Sequence, residues 1–354
     1  MTKRQFTCLA CTAVIMVSGL GAAAPSAGAA THTVHPGESI QKAVNAASPG
    51  DTIVIAAGTY RESVLVTKSN LTLSGMGEAT VIKPRTATTP AANVCARAGN
   101  GICVTGKAKK DVVGVSIRSL TLSGFKKSAI WATRTDRLTV QQVTAEKNGT
   151  WGIGQEMSTR SVIRNNTVRG SGDAGIFIAN TVDREGGATD TKRTVIAYNR
   201  LTGNRIGVTV RRVRNLSVRA NTMTGNCAGL FIVGDESKPT AGAMTVRENW
   251  IYQNNKFCPA TTRLPAIQGS GIVLTGTESA VVQSNLIMEN VGSSPLSGGV
   301  VLFQSFVGAV NTGNVIKDNW VQGNKTADLA NRGGGTRNEF LSNECLASEP
   351  AGMC

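Results

Sequence analysis

The stretch Val162-Ile163-Arg164-Asn165-Asn166-Thr167-Val168 decides the fold, because close variants of it return five times along the chain. The variants begin at Val195, Val218, Val246, Val282 and Ile316. Each copy carries an asparagine two residues before its end, and these are Asn166, Asn199, Asn221, Asn249, Asn285 and Asn319, with Asn343 as a degraded seventh. The intervals are 33, 22, 28, 36, 34 and 24 residues. The shortest interval is one bare repeat, and the longer ones are the same repeat with insertions.

A second phrase, glycine followed by an aliphatic residue, recurs in the same repeats. It occurs as Gly152-Ile153, Gly175-Ile176, Gly207-Val208, Gly229-Leu230, Gly271-Ile272 and Gly299-Val300, each followed by alternating apolar residues. Strands this short cannot bury themselves alone, but stacked at about 4.8 Å they enclose a continuous core. The sequence therefore predicts an all-β fold, a right-handed parallel β-helix. We expect the asparagines to form an internal ladder and to adopt left-handed backbone themselves.

The two ends of the solenoid also have sequence signals. The segment 39–47 places Ile40, Ala43, Val44 and Ala47 on one helical face before Pro49-Gly50, which predicts a capping helix at the N-terminal end. At the other end, a loop between Cys345 and Cys354 would form a disulfide cap. We therefore predict a single β-helix domain over residues 31–354.

The first thirty residues have the pattern of a signal peptide. Lys3 and Arg4 precede an apolar stretch, and the segment closes with small residues at Ala27–Ala30. No later segment contains 18 apolar residues in a row, so we expect no membrane span and a secreted, extracellular protein.

Six cysteines remain after this segment, an even number that suits an oxidising compartment. Their spacing suggests that Cys95 pairs with Cys103, Cys227 with Cys258, and Cys345 with Cys354. Cys227 and Cys258 follow the ladder positions Asn221 and Asn249 by similar distances, which places both on the same turn of adjacent coils.

The chain is basic, with a formal charge of +15 that falls to +13 without Lys3 and Arg4. Its lysines and arginines are scattered along the chain and do not form a long run. The predicted extracellular compartment favours an acidic polysaccharide or cell-wall glycan over nucleic acid as partner.

The N-terminal run Ser39–Gly75 and the asparagine-containing coils resemble the secreted right-handed β-helix proteins of the pectate-lyase-like superfamily. The resemblance implies a polysaccharide groove along the strand that follows each Gly-Ile pair, but it is weak for chemistry. The histidine and arginine motifs of pectate lyases, polygalacturonases and alginate epimerases are absent. The only histidines are His32 and His35, so an enzyme of this sequence would work without histidine in its coils.

Residues that alternate outward from that strand define the candidate groove. Sugar rings and acidic groups would be bound by aromatic and basic side chains, namely Trp131, Phe177, Phe231, Arg205 and Arg212. An alternative is that the insertions Thr181–Arg193 and Gly234–Ala243 fold back over this face and bury the rings.

Three functions fit these residues. A uronate lyase would use Arg211 or Lys192 as the base, with Asp183, Asp235 and Glu236 as calcium ligands. A glycoside hydrolase would use Glu156 with Asp173 or Asp183. A non-catalytic protein would bind glycan or cell wall at the surface or in the matrix. The lyase is the leading hypothesis.

A second outward row follows the ladder asparagines and carries Trp250, Leu286 and Trp320 on successive coils. Such a patch predicts either self-association or cover by the C-terminal tail.

Overall fold

The structure is a computed structural model that describes residues 28–86, 92–262 and 264–354. It contains two α-helices, α1 (Ile40–Ala46) and α2 (Val94–Arg97), and one 3₁₀ turn, Gly77–Ala79. The predicted signal peptide lies outside the described residues except for its last three positions.

Short strands make up the rest of the regular structure. The first group is β1 (Thr31–Val34), β2 (Thr52–Ile55), β3 (Gly58–Arg61), β4 (Val64–Val66), β5 (Thr72–Ser74), β6 (Thr80–Lys83), β7 (Ile102–Thr105), β8 (Val112–Val113), β9 (Ser116–Ser123), β10 (Ile130–Thr133) and β11 (Thr135–Asp136). The middle group is β12 (Thr139–Glu146), β13 (Ile153–Glu156), β14 (Val162–Arg164), β15 (Thr167–Arg169), β16 (Ala174–Ala179), β17 (Thr189–Ala197), β18 (Arg200–Thr202), β19 (Ile206–Arg211), β20 (Val213–Arg219), β21 (Thr222–Thr224) and β22 (Ala228–Val233). The last group is β23 (Thr245–Arg247), β24 (Trp250–Tyr252), β25 (Ser270–Thr275), β26 (Val281–Gln283), β27 (Leu286–Met288), β28 (Gly298–Phe303), β29 (Val315–Lys317), β30 (Trp320–Gln322), β31 (Leu329–Arg332), β32 (Glu339–Leu341), β33 (Glu344–Cys345) and β34 (Ser348–Glu349).

A full coil contributes three strands, as β14, β15 and β16 do. The first two join a 21-stranded sheet, and the third joins an 11-stranded sheet in the order β4-β7-β10-β13-β16-β19-β22-β25-β28-β31-β34. Each strand pairs in parallel with its equivalent one coil away, so that Ile176 lies between Ile153 and Val208. The predicted parallel β-helix is confirmed.

The aliphatic residues predicted to point inward form one continuous core along the solenoid. Ile176 and Ile178 on β16, and Leu230 and Ile232 on β22, are fully buried within it. Period-2 alternation in strands of three to six residues is therefore enough to identify the interior face.

The predicted asparagine ladder is present inside the first bend of each coil. Asn221 Nδ2 donates to Asn249 Oδ1 at 3.0 Å and to the carbonyl of Ile196 at 3.0 Å. Its Oδ1 accepts from Asn199 Nδ2 at 2.9 Å. The same bonds continue from Asn166 to Asn343. Each amide thus bonds to the backbone of the preceding coil and to the amide of the next coil.

The expectation that the ladder asparagines themselves are left-handed is wrong. The left-handed residue is the one before each of them: Asn165, Tyr198, Ala220, Glu248, Ser284, Asp318 and Ser342, with φ between 51° and 57°. Even Tyr198 and Ala220 adopt this conformation, which costs an L-residue about 1–2 kcal/mol. The buried amide bonds on either side hold the bend in place despite that cost.

A second ladder, not predicted, lies five residues after the first, where the second strand of each coil meets the third. It consists of Asn204, Asn226, Asn254, Asn290 and Asn324 and ends on Asp328. The constant five-residue offset is visible in the sequence. It fixes the length of the intervening strand, and so positions the start of every strand in the 11-stranded sheet.

Helix α1 closes the N-terminal end of the core with buried Ile40 and Val44. Its first turn is held by Glu62, whose carboxylate accepts from the backbone N–H of Ile40 at 2.7 Å. Beside it, Asp51 ties down the chain before the helix. A hydrogen bond with His32, together with backbone N–H groups of Ser48 and Ala30, lowers the pKa of Asp51 to about 2.

All three disulfide bonds suggested by the cysteine spacing are formed. Cys95–Cys103, Cys227–Cys258 and Cys345–Cys354 have Cα–Cα separations of 5.7, 6.0 and 5.2 Å. The last of them closes a loop at the C-terminal end, where the partly buried Cys345 and Met353 pack against the core.

Across the described ranges, no helix is both long enough and apolar enough to span a membrane.

Candidate functional site

The candidate site lies on the outward face of the 11-stranded sheet, where the predicted groove should be. The register aligns the outward residues Cys103, Trp131, Gly154, Phe177, Thr209, Phe231, Val273 and Val301 on successive coils. Insertions on both sides of the strands rise above this row, and every member of it except Trp131 is buried.

The C-terminal half of the row is covered. Phe231 is only 2% exposed, and Val273 and Val301 are fully buried in a second apolar cluster outside the coils. The covering segment is the loop of residues 255–262 and 264–268, which contributes Cys258 and Ile267. The outward face is thus covered here, but by this loop and not by the insertions Thr181–Arg193 and Gly234–Ala243 that the alternative named.

The N-terminal half carries a stack of three aromatic rings. The Trp131 and Trp151 centroids are 4.9 Å apart, and those of Trp151 and Phe177 are 4.5 Å apart, with ring planes inclined by 20° and 12°. Gly154 makes the stack fit, because a Cβ there would lie 2.7 Å from Cε3 of Trp131. Trp151 was not predicted, because alternation would place a residue two positions before inward Ile153 on the inward side, whereas Trp151 precedes β13 and its ring joins the outward stack.

A cavity of about 270 Å³ opens on the Phe177 side of this stack, and we call it the arginine cavity. This volume is just below the ~300–1,000 Å³ of typical small-molecule sites. Its walls combine the sheet with the insertions on both sides. The lining includes the predicted residues Asp173, Phe177, Arg211, Arg212, Phe231 and Asp235, and adds Trp151, Glu185, Thr209 and Phe306.

Arg212 is the least satisfied group in the arginine cavity. Its side chain is buried, at 3% exposure for the residue, and Nε, Nη1 and Nη2 have no hydrogen-bond partner among the described residues. Asp235 Oδ2 lies 3.3 Å from Nη1 and forms an ion pair without a hydrogen bond. The Thr209 hydroxyl, also buried, is likewise without a hydrogen-bond partner. Buried donors of this kind favour a ligand that brings acceptor oxygens.

Asp173 is anchored at the aromatic wall of the same cavity. Its Oδ2 accepts from Trp151 Nε1 at 2.9 Å. The bond fixes the indole in the stack and holds a carboxylate at the cavity edge. Arg211 lies one residue before Arg212, at the end of β19, in register with Ala179 and Val233.

A second cavity, of about 310 Å³, lies on the Trp131 side of the stack, and we call it the glutamate cavity. It contains the predicted Trp131, Glu156 and Asp183, and shares only Trp151 with the arginine cavity. Glu156 Oε2 accepts from the backbone N–H of Val182 at 3.0 Å, and Oε1 accepts from the Thr133 hydroxyl at 3.3 Å. The insertion that begins at Thr181 is thereby held against the sheet beside the two acids.

Three of the predicted site residues line neither cavity. Arg205 does not face a ligand: its Nη1 donates to the carbonyl of Pro259 at 2.7 Å, and its Nη2 to that of Pro265 at 3.4 Å. Burial lowers the pKa of Arg205, while nearby Asp173 acts in the opposite direction. Lys192 is exposed on a left-handed bend of β17, and Glu236 is exposed at the tip of its insertion. All three positions are plausible from the sequence, but the path of the insertions separates these side chains from the two cavities.

The calcium prediction stays a prediction. Asp183 lines the glutamate cavity and Asp235 the arginine cavity. Within the part of the chain that the structure describes, no group of three or more carboxylate, histidine or cysteine side chains is arranged to hold a metal ion. Asp183, Asp235 and Glu236 therefore do not form a ready ligand set.

The apolar row on the 21-stranded sheet is not covered by the C-terminal tail. Trp250 and Trp320 are 51% and 46% exposed, with Leu286 between them in register. The alternative of a covered patch is thus wrong, and self-association through this patch stays a prediction.

Family comparison decides the class of the chain. The model of the family described as "Right handed beta helix region" matches residues 67–251, more than half of the sequence. The chain belongs to this right-handed β-helix family. No curated protein sequence matches it.

Several solved structures resemble this right-handed β-helix protein at low sequence identity. The A-module of the mannuronan C-5 epimerase AlgE4 from Azotobacter vinelandii is 17% identical, with a TM-score of 0.58 over 87% of this chain and 89% of that one. The Dettilon tailspike protein is 15% identical, with a TM-score of 0.61 over 90% and 68%. The DFA-IIIase of Arthrobacter chlorophenolicus A6 without its lid is 14% identical, with a TM-score of 0.55 over 89% and 94%. At these identities the comparisons show the fold alone.

Proposed function

We propose that this β-helix protein is a secreted carbohydrate-active protein that acts on an acidic polysaccharide in the arginine cavity, as a uronate lyase. The observation that carries the proposal is the Arg212 guanidinium, buried in the cavity wall without hydrogen-bond acceptors. Three disulfide bonds support an extracellular location. The epimerase named above takes its name from mannuronan, a polysaccharide, and the proposal extends that class of substrate to this chain.

An acidic sugar matches the chemistry of the cavity better than a neutral one. A carboxylate can accept two parallel hydrogen bonds from a guanidinium, which supplies the acceptors that Arg212 lacks. Asp235 balances part of the charge but makes no hydrogen bond to Arg212. Phe177 and Phe231 supply apolar wall for the ring carbons.

Elimination needs a base and a cation. The base removes the proton at C5 of the uronate, the C4–O bond to the next sugar breaks, and a C4–C5 double bond forms while the departing sugar oxygen takes up a proton from water. A cation beside the carboxylate stabilises the negative charge that develops. We assign the cation to Arg212 and keep Arg211, on the same cavity wall, as the candidate base. Lys192, the other predicted base, lies away from both cavities.

The test is incubation of the purified protein with pectate, alginate and glycosaminoglycans, with and without calcium. The ultraviolet absorbance of the unsaturated uronate reports elimination. We expect a rise for at least one polymer and its loss in Arg212→Met, while Lys192→Ala, which removes a remote positive charge, keeps the rate. A flat trace on every polymer would contradict the lyase.

A second candidate function is glycoside hydrolysis, favoured by the presence of Glu156 and Asp183 in one cavity. Hydrolysis would produce new reducing ends without a change in ultraviolet absorbance, and Glu156→Gln would abolish them. Binding without either product would instead favour a non-catalytic glycan-binding protein.

A further inference from the structure

We propose that the outward face of β24, β27 and β30 is a second glycan site, which binds an extended, neutral β-1,4-linked glycan. The three strands belong to the 21-stranded sheet, and their residues line neither the arginine cavity nor the glutamate cavity. Binding at this face does not depend on the proposed lyase activity.

The site consists of six outward side chains on three successive coils. Each of the three strands buries its middle residue and turns the residue on either side outward. The parallel register aligns these outward residues in two columns, which we call the tryptophan platform: Trp250, Leu286 and Trp320 in one column, and Tyr252, Met288 and Gln322 in the other. The two tryptophans remain about half exposed to solvent. A contiguous apolar surface of this kind indicates an interaction site.

The spacing of the two tryptophans matches a repeating sugar chain. Trp250 and Trp320 lie two coils apart in one column, or about 9.6 Å at about 4.8 Å per coil. In an extended β-1,4-linked glycan every second ring presents the same face, and the repeat of two rings is close to this spacing. Aromatic faces stack on the apolar faces of pyranose rings. The platform therefore offers two stacking positions one disaccharide apart, with the glycan running along the solenoid axis.

The Trp250 ring is supported by its neighbour on the same strand. The centroids of Trp250 and Tyr252 are 5.7 Å apart, with ring planes inclined by 52°. Such a tilted pair is a favourable arrangement of aromatic rings. The contact restrains the indole before a ligand arrives, which lowers the conformational entropy that binding would cost.

The charge around the platform favours a neutral partner. Six charged residues lie within three positions of the platform in the sequence, and three are basic and three acidic: Arg247, Lys317, Lys325, Glu248, Glu289 and Asp318. Arg247 forms an ion pair with Glu248, and Lys317 Nζ lies 3.7 Å from Asp318 Oδ2. The surroundings thus have no net formal charge in a chain of +15. An acidic polysaccharide would gain no electrostatic attraction here, whereas a neutral glycan needs none.

The size of the platform argues against a second copy of the chain as the occupant. A stable protein–protein interface takes about 20–30 residues from each partner. The platform supplies six, and its tryptophan column becomes polar on the coils before and after it, at Thr222 and Glu344. A single glycan chain covers a strip of this width, so the glycan is the better fit.

The test is retention of the purified protein on insoluble polysaccharides. The protein is incubated with microcrystalline cellulose and with chitin, and the bound fraction is measured after the solid is sedimented. Starch granules, whose α-linked chains are not extended in this way, serve as the comparison. We expect retention on cellulose or chitin but not on starch, and the same retention in about 1 M NaCl, where charges are screened beyond about 3 Å. Retention on neither β-linked solid, or only at low salt, would overturn the inference.

Substitutions locate the binding on the platform. We expect Trp250→Ala and Trp320→Ala each to weaken retention by about fivefold, and the double variant by more than tenfold. Phe257→Ala removes an exposed ring outside the platform and serves as the control that keeps retention. Urea unfolding confirms that each variant is folded. Unchanged retention in the folded double variant would overturn the site.

A rearranged variant tests the spacing. Leu286→Trp with Trp320→Leu keeps two tryptophans on the platform but places them one coil apart. We expect its retention to equal that of a single tryptophan variant, because two stacked sugars no longer match the rings. Retention equal to that of the parent protein would contradict the disaccharide spacing. Light scattering tests the other occupant: dimers that disappear in the double alanine variant, without retention on any glycan, would assign the platform to a second copy and overturn the inference.

Discussion

Two buried arginines near the groove allow one substitution to separate a structural role from a ligand-binding role. Arg205 and Arg212 are 7% and 3% exposed, and one lies on either side of β19. The Arg205 side chain donates to two loop carbonyls, whereas the Arg212 guanidinium has no hydrogen bond within the described residues. The same change to methionine keeps an apolar stem at both positions and should therefore have opposite consequences.

The expected loss for Arg205→Met follows from its two bonds. A hydrogen bond from a charged donor contributes about 1.5–3 kcal/mol, and the bond of 3.4 Å counts for less than the one of 2.7 Å. We expect the free energy of unfolding to fall by about 2–4 kcal/mol, since the loop carbonyls also lose their partner.

Arg212→Met should change the free energy of unfolding by less than about 1 kcal/mol. It removes a buried charge without hydrogen bonds, and methionine avoids the cost of keeping that charge out of water. Asp235, the residue left behind, is partly exposed and keeps a hydrogen bond from the Ser237 N–H at 3.0 Å. Activity or ligand affinity should nevertheless fall by about tenfold or more, because the substitution removes the guanidinium that we propose binds the substrate carboxylate. Functional residues commonly lower the stability of the protein that carries them.

Urea unfolding followed by circular dichroism measures both variants against the parent protein, and titration with a uronate tetrasaccharide measures affinity. Arg205→Met should mainly lower the free energy of unfolding. Arg212→Met should mainly lower the affinity for the tetrasaccharide. A loss of stability in Arg212→Met equal to that in Arg205→Met would refute the reasoning, because Arg212 would then be a structural residue.

Three further predictions follow from single contacts. Gly154→Ala should displace the Trp131 ring, reducing near-ultraviolet circular dichroism and tetrasaccharide affinity together, and an unchanged spectrum would show that the stack does not depend on this glycine. Asn226→Ala removes four buried side-chain hydrogen bonds and should lower the free energy of unfolding by about 2–4 kcal/mol in urea, whereas a loss below about 0.5 kcal/mol would mean that the second ladder adds little. The pKa of Asp51 is lowered from 3.8 to about 2, so the ionised carboxylate stabilises the folded state. This contribution is complete above pH 3.8 and is lost as the pH falls through about 2. Hydrogen exchange of Thr31–Val34 should accelerate below about pH 3 beyond its intrinsic rate, and Asp51→Asn should remove this dependence.

The solenoid itself could be predicted from the sequence because its determinants are local and repeated. Period-2 alternation identifies Ile176 and Ile178 as interior, and the recurrence of Asn221 and its equivalents sets the register. The second ladder was equally visible at a constant offset of five residues but was not recognised. The left-handed position was misassigned by one residue, since the bond pattern of the bend, and not the residue type, decides which residue takes positive φ.

The site was less predictable because it depends on the paths of the insertions. Alternation correctly placed Phe231 outward, yet a loop buries it. The Cys227–Cys258 bond anchors that loop, and its two cysteines are 31 positions apart in the sequence. Composition also cannot distinguish Arg205, bound to loop carbonyls, from Arg212, left without acceptors. The roles of these two arginines depend on tertiary contacts, and the repeat pattern contains no information about those contacts.

The most direct test of the central claim is a crystal structure of the protein with a uronate tetrasaccharide. The account predicts sugar density in the arginine cavity, with a carboxylate within hydrogen-bond distance, about 3 Å, of the Arg212 guanidinium. Sugar bound elsewhere on the solenoid, with the arginine cavity left without ligand, would contradict it.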